Sequence, residues 1–125
     1  MKSILSNTRR PDITFHRGGR IDIASHIARQ LYIKKGDVID IAVADNEYYL
    51  FVRTHCNIGR HEAACYPANA RLKNSHSFRA HSARLCHEML CITNGEKKVS
   101  LPCGELREFS FGRGIAVIIK NKLNV

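Results

Sequence analysis

The stretch Gly19 to Val52, GRIDIASHIARQLYIKKGDVIDIAVADNEYYLFV, decides the fold of this chain. Arg20-Ile21-Asp22-Ile23 alternates polar and apolar residues, the period of a strand with one buried face. Ser25 offers a hydroxyl to the unpaired amides of a helix start, and Ile27 and Leu31 then fall on one face, so a short helix is expected over Ser25 to Leu31. Lys34-Lys35-Gly36 suits its exit, with cations near the negative helix end and a glycine free to take positive φ. Val38, Ile39, Ile41 and Val43 form one β-branched run, and Tyr48 to Val52 forms a second strand. Ala44-Asp45-Asn46-Glu47 between them tolerates left-handed turn geometry, so the pair reads as a hairpin.

Outward from this stretch, the chain divides by charge. Residues 1–35 carry eight Lys/Arg against two Asp/Glu, residues 36–70 two against five, and residues 71–125 ten against four, within a net charge of +9. Clustered cations of this kind suit a polyanion, because phosphate contacts release counterions; solubility alone is the competing explanation. With 125 residues, 44% apolar and 25% charged, the chain has globular composition and the length of one domain or two very small ones. The longest apolar runs, such as Ile115-Ala116-Val117-Ile118-Ile119, are too short to span a bilayer as a helix, so no membrane partner is expected. Met1-Lys2-Ser3-Ile4-Leu5-Ser6 lacks the apolar centre of a secretory leader. The cysteines (Cys56, Cys65, Cys86, Cys91 and Cys103) are odd in number and irregularly spaced, so reduced thiols in a cytoplasmic protein are expected.

The pattern Gly-Arg-Ile-x-Ile-x-x-x-Ile-x-Arg-x-Leu-x-Ile-x-x-Gly-Asp-x-x-x-Ile, from Gly19 to Ile41, resembles the AbrB-type swapped-hairpin domain, and the likeness continues through the hairpin to Val52. That family belongs to the cradle-loop barrels, whose helix-to-strand corner often carries a Gly-Asp pair like Gly36-Asp37. With its lead-in strand the resemblance covers about residues 12–53 of 125. Two positions depart from the family habit. Ala24 stands where a proline commonly opens the helix, and Tyr32 stands where a glycine commonly ends it, which implies a different helix C-terminus. The resemblance implies a mostly β fold with short helices, a small β-barrel built from two interleaved strand-helix-hairpin units and most often used to bind DNA.

Before this unit, Pro11 leads into an extended segment, Asp12 to His16, with Ile13 and Phe15 on one side. Arg17-Gly18-Gly19-Arg20 is a glycine-centred corner presenting two guanidiniums. In the family, the first strand pair and its loop supply much of the DNA-facing surface. Carried over, this implies DNA contact by Arg17 and Arg20, with Arg9 and Arg10 as a nearby arm and Arg29 at a helix position that is often basic. Arginine suits the role because its planar fork takes a phosphate or a guanine edge bidentately. For Arg20 the alternative is pairing with a carboxylate such as Asp22 or Asp40. Gly18-Gly19 has no Walker or dinucleotide pattern around it.

Arg53 to Ala70 lacks periodicity and reads as a linker. Its Cys56, His61 and Cys65 are spaced so that they could hold a metal, with His55 beside them, but a structural zinc site usually shows a close cysteine pair, absent here. The alternative is a loop of scattered polar and small residues, in which Glu62-Ala63-Ala64-Cys65 could form one helical turn. No metal and no cofactor are therefore expected.

Further on, Leu90-Cys91-Ile92-Thr93-Asn94-Gly95-Glu96 lines up with Leu31-Tyr32-Ile33-Lys34-Lys35-Gly36-Asp37, 59 positions earlier, and the same offset sets Arg79 opposite Arg20. Ser82 to Leu90 reads as a helix capped by Ser82, with Leu85 and Met89 on one face. Then come Lys98 to Leu101, a turn at Pro102-Cys103-Gly104, a segment from Glu105 to Phe111, a turn at Gly112-Arg113-Gly114, and a buried strand from Ile115 to Ile119. The alternation slips by about one residue after the corner. The organisation expected is 1–53 as the first unit with a basic lead-in, 54–70 as linker, and 71–125 as a second, divergent copy packed with the first in one barrel. True copies make a monomeric pseudo-dimer; otherwise the first unit pairs between chains as a homodimer.

Tyr48 and Tyr49 are neighbours in a strand, so they face opposite sides and one is expected to be exposed, while Phe109 and Phe111 share a face and read as core. Aromatic and basic residues do not interleave as in single-strand binders, which favours duplex binding. No His-Glu-His metalloprotease spacing, nucleophile triad or carboxylate pair is discernible. The expectation is a non-enzymatic protein that binds double-stranded DNA, a transcriptional regulator or antitoxin-like module. The alternative is a protein-interaction or assembly module on the same barrel, with a protein partner.

Overall fold

Apolar alternation in the first strands builds the centre of a sheet. The computed structural model describes residues 12–53, 62–68, 77–110 and 112–119. In chain order these form β1 (Ile13–His16), β2 (Arg20–Ile23), α1 (Ser25–Gln30), β3 (Val38–Ala44), β4 (Glu47–Arg53), β5 (Ala63–Ala64), β6 (Tyr66–Pro67), β7 (Phe78–His81), α2 (Ala83–Thr93), β8 (Lys98–Leu101), β9 (Cys103–Phe109) and β10 (Gly112–Val117). The fold is mostly β with two short helices. One sheet has the order β6-β7-β2-β1-β8, the other β5-β3-β4-β10-β9, and every pairing is antiparallel.

The two sheets share one core. Ile13, Phe15, Ile21 and Ile23 from the first sheet meet Ile39, Leu50, Ile115 and Val117 from the second. Ile27 and Ala28 of α1 and Cys86 and Met89 of α2 complete the cluster. Burying a side chain such as Phe15 is worth about 1.5–3 kcal/mol relative to exposure. Only single residues separate the sheets along the chain at two places. Cys65 lies between β5 and β6, and Pro102 lies between β8 and β9. The turn expected at Pro102-Cys103-Gly104 is therefore absent: the chain runs directly from one sheet into the other, and the Cys103 amide donates to Asp12 Oδ2 at 2.7 Å.

The β3–β4 hairpin forms as expected, with Asp45 and Asn46 both at positive φ in its turn. The β9–β10 turn lies at Ser110 instead of Gly112-Arg113-Gly114, which is part of β10. The stretch read as linker contributes β5 and β6, so the helical turn over Glu62 to Cys65 does not form. The amides of Gly36 and Cys65 donate to the carbonyls of Cys65 and Asp37, at 2.8 and 2.7 Å, and hold that segment against the helix-to-strand corner.

Both helix ends revise the sequence reading. Ala24, not Ser25, occupies the α1 N-cap position and supplies no side-chain cap; Ser25 instead accepts from Arg29 Nη2 at 3.5 Å. At the other end, the Ile33 amide donates to Ala28 O and the Tyr32 amide to Arg29 O, the paired bonds of a left-handed helix end. Tyr32 takes φ 54° there. The departure from glycine thus keeps the usual helix end, at a strain of about 1–3 kcal/mol. Ser82 caps α2 as expected, accepting from the Leu85 amide at 3.1 Å, and Asn94 takes the left-handed position at its end.

β2 and β7 pair with Ile21 opposite Ala80, Arg20 opposite His81 and Asp22 opposite Arg79. This register is symmetric about residues 59 apart, the offset read from sequence. Past the helices the offset changes: the Gly95 amide closes α2 on Leu90 O, as Ile33 closes α1 on Ala28 O, which sets equivalent positions 62 apart. Gly95 therefore ends a helix, whereas Gly36 sits in the corner beyond one.

Candidate functional site

Period-two alternation that buries Ile13, Phe15, Ile21 and Ala80 turns their neighbours outward. The outer face of the first sheet consequently gathers His16 from β1, Arg20 and Asp22 from β2, Arg79 and His81 from β7, and Lys98 from β8. Asp22 stands at the middle. Its Oδ2 lies 2.8 Å from His16 Nε2 and 3.3 Å from Arg20 Nε, and its Oδ1 accepts from Arg79 Nε at 3.0 Å. Arg20 Nη2 is also 3.2 Å from His16 Nε2. One ring nitrogen serves one of these partners at a time, and the shorter contact to the carboxylate makes it a donor. Partial burial works to raise the Asp22 pKa. Hydrogen bonds from His16 and Arg79, with the Arg20 charge, outweigh it and hold the carboxyl below its ordinary 3.8.

The corner at Arg17-Gly18-Gly19 edges this face. Arg17 is exposed, and its amide donates to Lys97 O at 2.8 Å. Gly19 has φ 110°, and a Cβ there would stand 2.6 Å from the His81 ring, whose Nε2 donates to Gly18 O at 3.2 Å. The positive φ favours glycine there, and an added carbon would push the His81 ring out of this hydrogen bond.

Arg17 and Arg20 flank the same glycine corner, but Arg17 lines a concavity with Leu90, Asn94 and Glu96 at the end of α2, while Arg20 makes the Asp22 pairing weighed as its alternative. Asp40 instead lies 3.7 Å from Arg53. Arg29 belongs elsewhere: on α1, beside Tyr32, Lys34 and Phe78 around a concavity of about 470 Å3. This is the far end of β2 and β7, where Ile23 pairs with Phe78, away from the Arg20–His81 end. Arg9 and Arg10 lie outside the described residues. Sequence reading passed over His16, His81 and Lys98 as members of the face; alternation in Phe78-Arg79-Ala80-His81 was the signal that marks two of its residues.

Cys56 and His61 also lie outside the described residues. Cys65 is buried, and desolvation, with the Asp37 charge, pushes its thiol up to about 12. Among the described residues no three His, Cys, Asp or Glu side chains are grouped to hold a metal. The four described cysteines, Cys65, Cys86, Cys91 and Cys103, are free thiols. No helix among the described residues is long and apolar enough to cross a membrane.

The tyrosine pair also differs from expectation. Tyr48 is half-buried, and Tyr49 is fully buried although it points away from the shared core. Phe109 stacks edge-on against it at 4.7 Å, Arg107 Nη1 donates to its hydroxyl at 2.9 Å, and that hydroxyl donates to Glu47 Oε2 at 2.6 Å. The Glu47 hydrogen bond raises the Tyr49 pKa. Phe109 therefore roofs the outer face of the second sheet instead of joining the core, while Phe111 lies outside the described residues.

No family model matches the chain, and neither a curated protein nor a solved structure does.

Proposed function

We propose that this chain is a non-enzymatic DNA-binding protein, a transcriptional regulator or antitoxin-like module acting on double-stranded DNA in the cytoplasm. The observation that carries it is the outer face of the first sheet, where His16, Arg20, Arg79, His81 and Lys98 surround the single carboxylate of Asp22. Five strands about 4.8 Å apart make a face about 19 Å across. That is wider than the ~12 Å major groove, so the sheet lies across the groove against phosphates. In this reading Arg17, exposed at the glycine corner, reaches a base edge. Phosphate contacts supply affinity and register, and one arginine supplies readout.

A single-chain swapped-hairpin barrel, a pseudo-dimer of two strand-helix-hairpin units, fits this reading. The symmetric β2–β7 register and the direct passages of chain between the sheets at Cys65 and Pro102 support it. The second reading, an assembly module with a protein partner, draws on a concavity of about 390 Å3 between α2 and the β3–β4 hairpin, with Ile41, Tyr48, Leu85 and Met89 on its walls.

The test is fluorescence anisotropy of a blunt mixed-sequence duplex at low and physiological salt, with an Arg20→Ala/Arg79→Ala variant beside the wild type. Binding that falls steeply with salt and drops in the variant supports the reading. Absence of binding at low salt sinks it and favours the assembly module.

A further inference from the structure

Tyr32 is the most exposed large hydrophobic residue among those described, 65% accessible, and it is held out by a left-handed backbone at the end of α1. The surroundings of its ring come from distant parts of the chain. The Arg113 guanidinium, from β10, lies 4.7 Å from the ring centroid, within cation–π range. Tyr32 and Arg113 line one concavity of about 360 Å3. Tyr32 also lines the separate 470 Å3 concavity, together with Phe78 from β7, Ala28 and Arg29 from α1, and Ile33 and Lys34 just beyond that helix. Asp37, the carboxylate bordering this corner, accepts from the Lys34 amide at 2.8 Å. The interleaving of aromatic and basic residues that the linear sequence lacks is thus assembled in space.

We propose that Tyr32 and Phe78, with Arg29, Lys34 and Arg113, form a binding site for an unpaired nucleotide. The chemistry that fits is a flat aromatic base with an anionic phosphate attached. The base enters between the Tyr32 and Phe78 side chains and stacks on the Tyr32 face; Arg113 polarises that ring. Arg29 and Lys34 meet the phosphate. Stacking of this kind tolerates any base, because every base has a π-face. The site goes beyond duplex binding by the sheet face: it lies at the opposite end of β2 and β7 and is built from a different set of cations. Two sources carry the same chemistry, an unpaired end of a nucleic-acid strand and a free mononucleotide.

The experiment compares a fluorescein-labelled blunt duplex, the same duplex with a short single-stranded overhang, and the single strand alone, using the whole chain and its Tyr32→Gly and Tyr32→Phe variants. Glycine is at ease in the left-handed position, so Tyr32→Gly removes the ring without unfolding the helix end. A thermal melt of each variant verifies this. The overhang is expected to tighten binding about tenfold. Tyr32→Gly should abolish that gain, Tyr32→Phe should keep it, and blunt-duplex affinity should not change in either. Competition with adenosine monophosphate separates the sources: displacement of the overhang identifies a mononucleotide site, and its absence identifies a strand end. An overhang that adds nothing, or a gain that survives in Tyr32→Gly, overturns the proposal. Tyr32-dependent single-strand binding without blunt-duplex binding would retain this site and remove the duplex reading.

Discussion

Two basic regions sit at opposite ends of the same pair of strands, and their cations are held in opposite ways. Around Asp22, the guanidiniums of Arg20 and Arg79 are tied to a carboxylate, so their positions are set before any ligand arrives. Around Tyr32, Arg113 rests on an aromatic ring, and Arg29 and Lys34 border an apolar concavity. A pre-set carboxylate network suits a line of phosphates, which must compete with Asp22 for the same donors. An aromatic platform suits a base. Local partners, and not charge alone, sort basic surface into different recognition chemistries.

The largest effect is expected from Arg20→Ala with Arg79→Ala. Duplex affinity at low salt should fall by about tenfold to a hundredfold, and the salt slope should flatten by about two, one phosphate contact per residue. The overhang gain should survive, which anisotropy on matched blunt and overhanging duplexes would show. Next is Gly19→Ala. With φ 110° and the His81 ring 2.6 Å from the added carbon, the corner must shift, and chemical denaturation should report a loss of about 1–3 kcal/mol.

Asp22→Asn acts in the other direction. Releasing Arg20 and Arg79 from a charged competitor should strengthen duplex binding several-fold while leaving the overhang gain untouched. Equal or weaker duplex binding by this variant would mean that Asp22 orients the guanidiniums more than it occupies them. The same carboxyl has a pH signature. Its pKa is lowered on folding, so its pairing stabilises the protein above the ordinary value of 3.8 and is lost as pH falls through the lowered one. The difference in melting temperature between wild type and Asp22→Asn should be full near neutrality and shrink only below about pH 4.

The smallest effect is expected in the thiols. Cys86 lies beneath the basic face, its Sγ 3.5 Å from Arg20 O, and burial pushes its pKa up to about 11. Cys65 stands higher still, at about 12. Brief alkylation at pH 8, mapped by mass spectrometry, should label exposed Cys91 and spare Cys65 and Cys86. Early labelling of Cys86 would mean that the sheet carrying Asp22 opens locally.

Legibility varied with the reach of the interactions. The hairpin turn at Asp45-Asn46, the cap at Ser82 and the inward faces of β1 and β2 follow from patterns spanning a few residues, and the structure contains them. Arg17 and Arg20 were legible as neighbours because one corner carries both. Arg29 was their expected companion because the resemblance puts a basic residue at that helix position, yet α1 carries it to the other end of β2. The turn read at Pro102-Cys103-Gly104 failed because proline at a strand junction serves equally well to redirect a chain between sheets. Tyr49 escaped because its cover, Phe109 and Arg107, arrives from about sixty residues away.

The strand-helix-hairpin order and the basic corner are written in the sequence, since backbone propensity, side-chain period and composition are local quantities. Tertiary contacts alone let Asp22 gather His16, Arg20 and Arg79, set Arg113 over the Tyr32 ring and bring Tyr32 and Phe78 to the walls of one concavity. Those meetings depend on sheet register and on which strands cross between the sheets. Register follows from the packing of the whole core, in which a one-residue slip of β2 or β7 would turn Asp22 or Arg79 to the opposite face.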